Sequence, residues 1–274
     1  MLKLRIITAL VLIPVFVLSV LYMSTIWFAA FMAIIMALAA WEWAAIIGYK
    51  QLLQRSGYVM LIALILGAAF RYRLSPLLCW ASIIALFWWL CAAWMVVRYQ
   101  RQQGLGFHLV IPGGTIGVLV LVPAWLSLIM LHADEPEGIK LVLFLLVLIW
   151  SADIAAYFCG RRWGKNKLCD QVSPGKSWEG VFGALFAATI VALTYGLSQS
   201  MDSLDILIFV PICLLTVMAS VLGDLLESLI KRLGEVKDSG SILPGHGGVL
   251  DRIDSLTAAL PVFLSALYLW EASK

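Results

Sequence analysis

Residues 206–233 read ILIFVPICLLTVMASVLGDLLESLIKRL. The part from 206 to 222 carries no charged side chain. A bilayer core takes about 20 apolar residues of helix, with a range of roughly 17–25, so this stretch reads as a membrane span. Charge begins at Asp224 and returns at Glu227 and Lys231, with Ser228 between them. Those positions stand at i, i+3, i+4 and i+7, which places all four on one helix face. The helix is therefore expected to continue to about Leu233. A charge at membrane depth costs about 2.5–3.5 kcal/mol on insertion scales, so such groups face polar space and have partners. From this stretch alone, a structural Glu227–Lys231 salt bridge reads as well as a site.

The rest of the chain fits that beginning. It has 274 residues, 63% hydrophobic and only 13% charged. A soluble domain is nearer half apolar and a quarter charged. Candidate spans are Ile6–Leu21, Thr25–Ile47, Tyr58–Phe70, Pro76–Val97, Thr115–Leu131, Leu141–Phe158, Val181–Leu197, Ile206–Leu222 and Ile253–Trp270. The fold expected is all-α: a polytopic transmembrane helical bundle of about nine spans. Tyr58–Phe70 is short for a span. Pro261 in the last span is tolerable where neighbours satisfy the freed carbonyl. Several of the 12 Trp sit at the ends of apolar runs, as an aromatic belt requires.

Orientation follows from Lys and Arg in short loops. Lys3, Arg5, Lys50, Arg55, Arg98, Arg101, Arg161, Arg162, Lys165, Lys167, Lys176, Lys231, Arg232 and Lys237 all fall on the cytoplasmic side if the N-terminus is inside. Asp134, Glu135, Glu137, Asp202 and Asp205 fall on the other, while Arg71 and Arg73 dissent. The expected topology is N-in, C-out. The apolar run after Arg5 shows no small-residue cleavage site and reads as an uncleaved first span. Residues 151–178 and 223–254 together carry 17 of the 35 charges. Residues 1–135 thus read as a scaffold of about five spans, and 136–274 as the catalytic region, with cytoplasmic loops at 159–180 and 231–252.

Some chemistries are excluded early. A net charge of +3 does not call for nucleic acid. The five Cys form no CxxC pair and no His/Cys spacing, so zinc is not indicated. Most read as small hydrophobes within apolar runs.

After Lys231 and Arg232, the run from Lys237 to Asp254 is rich in Gly and Asp and carries Lys237 and Arg252. Glycines 240, 245, 247 and 248 free the backbone for tight turns and for close approach to a ligand. Successive amides in such a loop can form an anion-binding concavity. Lys and Arg neutralise phosphate, Arg with two parallel hydrogen bonds. Asp251 and Asp254, three apart at a helix start, offer oxygen ligands of the kind that hold magnesium together with substrate phosphates. Carboxylates, cations and a flexible loop are what phosphoryl or nucleotidyl transfer requires. His246 suits a phosphate contact better than acid–base work, since no third residue orients it.

The run Ser228-x-Ile230-Lys231-Arg232-x4-Lys237-Asp238-x-Gly240-x2-Leu243-Pro244-x-His246-Gly247-Gly248-Val249-x-Asp251-Arg252-Ile253-Asp254 resembles the signature of the phosphatidate cytidylyltransferase (CDP-diglyceride synthetase) family, bacterial type. Ser173-Pro174-Gly175-Lys176-Ser177-Trp178-Glu179-Gly180 resembles the family's second cytoplasmic motif, and Trp150-Ser151-Ala152-Asp153 with Tyr157 and Gly160 is also similar. The resemblance implies transfer of CMP from CTP to phosphatidic acid, with release of pyrophosphate. It implies a magnesium-dependent homodimer in the bacterial inner membrane, working at the cytoplasmic side, with room for a second, monovalent cation such as potassium. Catalytic candidates are Asp224, Lys231, Arg232, Lys237, Asp238, His246, Asp251, Arg252 and Asp254. Substrate-binding candidates are Ser173, Gly175, Lys176, Ser228, Gly247, Gly248 and Asp153. Asp224, Asp251 and Asp254 are the expected magnesium ligands.

Blander readings stand beside several of these. Ser173 to Lys176 precedes a helix expected near Trp178, where a phosphate could sit, or where Ser177 simply caps the helix. Arg161, Arg162, Lys165 and Lys167 read as topology and attraction to anionic lipid. Asp153 and Tyr157, at i and i+4, line the site or satisfy each other. Glu42, between Trp41 and Trp43, resembles the family's N-terminal half but reads as interfacial anchoring. His108 and His132 read as loop residues. A lipid or ion transporter using the intramembrane acids is the main alternative, and it calls for paired repeats with interrupted helices, which the sequence does not display.

Overall fold

A computed structural model describes residues 2–73, 76–101, 113–134, 136–243, 245 and 247–274, without the side chains of 2–7, 9 and 76–83. Among the described residues the chain forms nine helices and one small sheet. The helices are α1 (Leu2–Tyr22), α2 (Thr25–Ile46), α3 (Leu52–Arg71), α4 (Pro76–Gln100), α5 (Gly113–Ala133), α6 (Glu137–Trp163), α7 (Trp178–Ser198), α8 (Ser203–Leu233) and α9 (Leu250–Glu271). Strands β1 (Lys167–Cys169) and β2 (Ser173–Ser177) pair antiparallel.

Among the described residues seven helices, α2, α3 and α5 to α9, are long and apolar enough to cross a membrane. The described side chains of α1 and α4 form shorter apolar segments, Leu10–Tyr22 and Ile84–Gln100. Large apolar side chains stand exposed on the helix surfaces: Leu61 and Leu64 on α3, Phe182 and Phe186 on α7, Leu204 and Leu207 on α8. Water would penalise such a surface, while lipid favours it. Helix is the form that satisfies every backbone group within its own segment in that solvent.

The chain folds as two compact units. The first holds residues 1–81, 106–143 and 230–254; the second holds 82–105, 144–229 and 255–274. The sequence expectation divides the chain at 135/136, with scaffold before it and the catalytic region after it. The compact units are interleaved along the chain, and the loop after α8 lies in the unit of α2, α3 and α5.

In the first unit α2 and α3 close on α5 through small residues. Trp43 Nε1 donates to Gly113 O at 2.9 Å, and Tyr58 Oη donates to Gly114 O at 2.8 Å. A Cβ at Gly117 would stand 2.6 Å from Trp43 Nε1, so only glycine admits the indole there. His132 is fully buried in α5, stacked on Phe28 with ring centroids 4.3 Å apart, and its ring nitrogens meet Val20 O and Thr25 Oγ1. It is a core residue rather than a loop residue. His108 lies outside the described residues.

In the second unit Phe144 gathers Tyr195, Phe209 and Phe263 into an aromatic core. α6 and α7 approach closely at glycines: a Cβ at Gly180 would lie 3.0 Å from Ala156 O. Three features differ from the sequence expectation. α3 begins at Leu52 and has 20 residues, because a Gln51–Gln54 capping box starts it ahead of the apolar run. α6 reaches Trp163, so Arg161 and Arg162 ride its last turn, where cations favour the helix dipole. The segment expected as a plain loop at 159–180 contains the β-hairpin. Gln100 fastens that hairpin, donating to Asp170 Oδ1 and accepting Gln171 N at 3.1 Å.

Candidate active site

Two groups of residues, one in each unit, carry the expected chemistry. In the second unit α8 supplies Asp224 and Ser228, and β2 supplies Lys176. Lys176 Nζ lies 2.6 Å from Asp224 Oδ2 and 3.5 Å from Val221 O. Ser228 Oγ donates to Asp224 Oδ1 at 3.3 Å, as the i, i+4 spacing requires. The side chains of Lys176 and Asp224 are 24% and 33% exposed, so the pair is half open to an incoming charged group. Asp153, from α6, interacts electrostatically with both.

The hairpin positions Lys176. Glu179 grips Asn166, accepting its backbone N–H at 3.1 Å and its Nδ2 at 2.8 Å. Ser177 caps α7, its side chain accepting from Gly180 N at 3.2 Å, so capping is its role. Ser173 and Gly175 stand in β2, and the space a Cβ would take at Gly175 is empty. Tyr157 meets Arg161 Nη1 at 3.0 Å, an exposed contact on α6. Burial holds the Cys169 thiol of β1 above its ordinary pKa, so it stays protonated and unreactive at neutral pH.

In the first unit the group forms where α8 ends and α9 begins. Glu235 takes the left-handed conformation (φ 55°), and Val236 N returns to Lys231 O at 3.0 Å, which stops α8. The chain then loops back through Gly245 and Gly247, with φ of 78° and 84°, values that favour glycine. Leu243 N donates to Gly247 O at 3.0 Å across the turn. Asp251, in the first turn of α9, collects the donors of this loop. It accepts Lys231 Nζ at 2.7 Å, Ser239 N at 3.1 Å and Gly248 N at 2.8 Å.

Behind Asp251 stands Glu42 of α2, only 2% exposed. Its carboxylate accepts Ser239 Oγ at 3.1 Å, Val249 N at 3.0 Å and Leu250 N at 2.8 Å. A carboxylate at the first amides of a helix satisfies donors that the helix itself cannot. The anchoring expected for Glu42 is therefore corrected: it is bonded inside the protein. The signal was present in the sequence, since an acid within an apolar helix is a functional hypothesis by default, but its tryptophan neighbours favoured the interface.

Of the other candidates, Arg232, Lys237, Asp238 and Arg252 are exposed, and Ser228, Gly247 and Asp254 are partly buried. Gly248 is buried, and a Cβ there would collide with Ser239 Oγ and Glu42 Oε2. His246 and Pro244 lie outside the described residues.

The sequence model of the cytidylyltransferase family matches residues 3–270. The chain belongs to that family. Among its relatives, a Pseudomonas aeruginosa protein named phosphatidate cytidylyltransferase is 43% identical over 277 residues, covering 99% of this chain and 98% of that one. A Haemophilus influenzae protein of the same name is 35% identical over 284 residues, covering 96% and 97%. One from Bacillus subtilis is 42% identical over 139 residues, about half of each chain.

Among the described residues no three His, Cys, Asp or Glu side chains converge as a ready metal cluster. Two of the three carboxylates expected to hold metal instead meet an ammonium: Asp224 meets Lys176, and Asp251 meets Lys231. Hard carboxylate oxygens whose charge is balanced by an exchangeable side-chain cation fit magnesium chemically.

Proposed function

We propose that this chain transfers the cytidylyl group of CTP to phosphatidic acid, giving CDP-diacylglycerol and pyrophosphate. The supporting observation is the half-open Lys176–Asp224 pair at the charged end of a membrane-crossing helix, in a chain matched along its length by phosphatidate cytidylyltransferases. The phosphate of phosphatidic acid is already an anionic nucleophile, so neither a strong base nor a Ser or Cys nucleophile is called for. One of its oxygens bonds to the α-phosphorus of CTP, and the bond from that phosphorus to the β-phosphate oxygen breaks in line. The pair of electrons leaves with pyrophosphate.

The barrier lies in joining two anions. Lys176, Lys231, Arg232, Lys237 and Arg252 supply positive charge, Gly247 lets the backbone approach phosphate oxygens, and Gly248 sets the turn by donating its amide to Asp251. His246 is part of the same proposal as a phosphate contact. Asp224, Asp251 and Asp254 would hold magnesium, which when bound would supply further positive charge for the departing pyrophosphate. A second, monovalent cation such as potassium belongs to the same reading. About nine spans with an N-in, C-out topology put these groups at the cytoplasmic surface of a bacterial inner membrane. CTP then arrives from water while the acyl chains stay in lipid. The working unit on this reading is a homodimer.

Purified chain in mixed detergent and phospholipid tests the proposal. Pyrophosphate release is expected only when CTP and phosphatidic acid are both present. Release from CTP alone, or none with both substrates and magnesium, rejects it.

A further inference from the structure

Glu42 lies 197 residues from Ser239 in sequence and 208 from Leu250, yet its carboxylate bonds to both. The contact is built with care. Its two oxygens are divided between two backbone donors, Val249 N on Oε1 and Leu250 N on Oε2. Ser239 relays it, donating its hydroxyl to Glu42 at 3.1 Å while accepting Asp251 N at 3.3 Å and offering its own backbone N–H to the Asp251 carboxylate. Space is kept for it: a Cβ at Gly240 or at Gly248 would run into the Glu42 side chain. Several positions of the loop are therefore shaped around one acid delivered from the N-terminal half.

We infer that Glu42 is a positioning residue for the proposed cytidylyl transfer. It fixes Ser239, Val249 and Leu250 in the one arrangement that presents Asp251 to Lys231. A burial site for a stray acid would not need both oxygens divided among separate donors. Nor would it need the acid's partner, Ser239, to be the residue that also holds Asp251.

Glu42→Gln is the discriminating variant, because it preserves volume and shape. An amide has one accepting oxygen, so whichever way it is turned its NH2 faces Val249 N or Leu250 N. Hydrogen bonds to a charged group are the stronger kind. Their loss at this position is expected to lower kcat about ten- to a hundredfold. The KM for phosphatidic acid should stay within about twofold and the thermal midpoint close to that of the parent chain. Ser239→Ala is expected to lower kcat in the same way. The double variant should be no slower than Glu42→Gln alone, since the two act through one contact.

Hydrogen exchange on the parent chain and on Glu42→Gln gives a readout independent of the substrates. Faster exchange is expected at Ser239 and at Gly248–Asp251, with α2 unchanged. The inference rests on the function proposed above, but the exchange result stands even if CTP is not the substrate. Parent-like kcat and parent-like exchange in Glu42→Gln overturn it. So does a loss of stability with kcat intact, which would make Glu42 merely structural. If Glu42→Gln does not fold, Ser239→Ala decides, and parent-like kcat there overturns the inference.

Discussion

Asp251 accepts three different donors, and each comes from a residue type with its own reason to be there. Lys231 brings charge from the last turns of α8, Ser239 brings a backbone amide from the loop, and Gly248 brings another from the turn before α9. Gly248 is the member with least freedom to change. An added methyl there overlaps Ser239 Oγ and Glu42 Oε2, and both are buried. Overpacking a tight position typically costs about 1–3 kcal/mol, taken here from the loop rather than from the helices. Gly248→Ala is therefore expected to reduce cytidylyl transfer at least about tenfold while the chain still inserts, as read by turnover of purified protein at matched yield. The types of these residues were legible in the sequence, because Gly, Lys and Asp at phosphate-site spacing have few other uses. Their pairing was not. Lys231 finds Asp251 across a loop whose turn depends on left-handed glycines, and no spacing rule predicts which cation such a loop brings to which acid.

Helices were legible where charge and apolarity alternate in blocks. The face Asp224, Glu227, Ser228, Lys231 extends the apolar run by whole turns, and α8 ends at Leu233 as that pattern requires. α9 starts at Leu250, beside the Asp251 expected at a helix start. The β-hairpin was hidden for a physical reason. Its strands are three and five residues long, one contains Pro174, and what stabilises it lies elsewhere in the chain. Gln100 at the end of α4 holds its turn, and the Glu179–Asn166 contact ties its base to α7. Lys176 thus sits on a braced strand, which limits how far its ammonium can wander from Asp224. Glu42 shows the same limit from the other direction. Its helix was plain in the sequence, yet its role depends on a loop about two hundred residues away.

At the scale of the whole molecule, each compact unit draws on both halves of the chain. The first compact unit takes residues 230–254 together with α2, α3 and α5, and α2 meets the glycine-rich loop through Glu42. The proposed topology has a direct consequence. With single cysteines placed in a chain cleared of native ones, positions 165 and 237 should react with a membrane-impermeant maleimide only from the cytoplasmic side. Positions 134 and 202 should react only from the opposite side. Labelling of 237 from outside would invert the orientation and remove CTP from reach of these residues. At this scale the acid on α8, paired with a lysine from the hairpin, is the group expected to handle a nucleotide beside the membrane. CTP labelled at its α-phosphorus, mixed with phosphatidic acid and either parent chain or Asp224→Asn, reads this out as label carried into lipid. The parent is expected to label the lipid, and Asp224→Asn, inserted at the same level, to fall at least about a thousandfold. Near-parent labelling by Asp224→Asn at ordinary magnesium would contradict it.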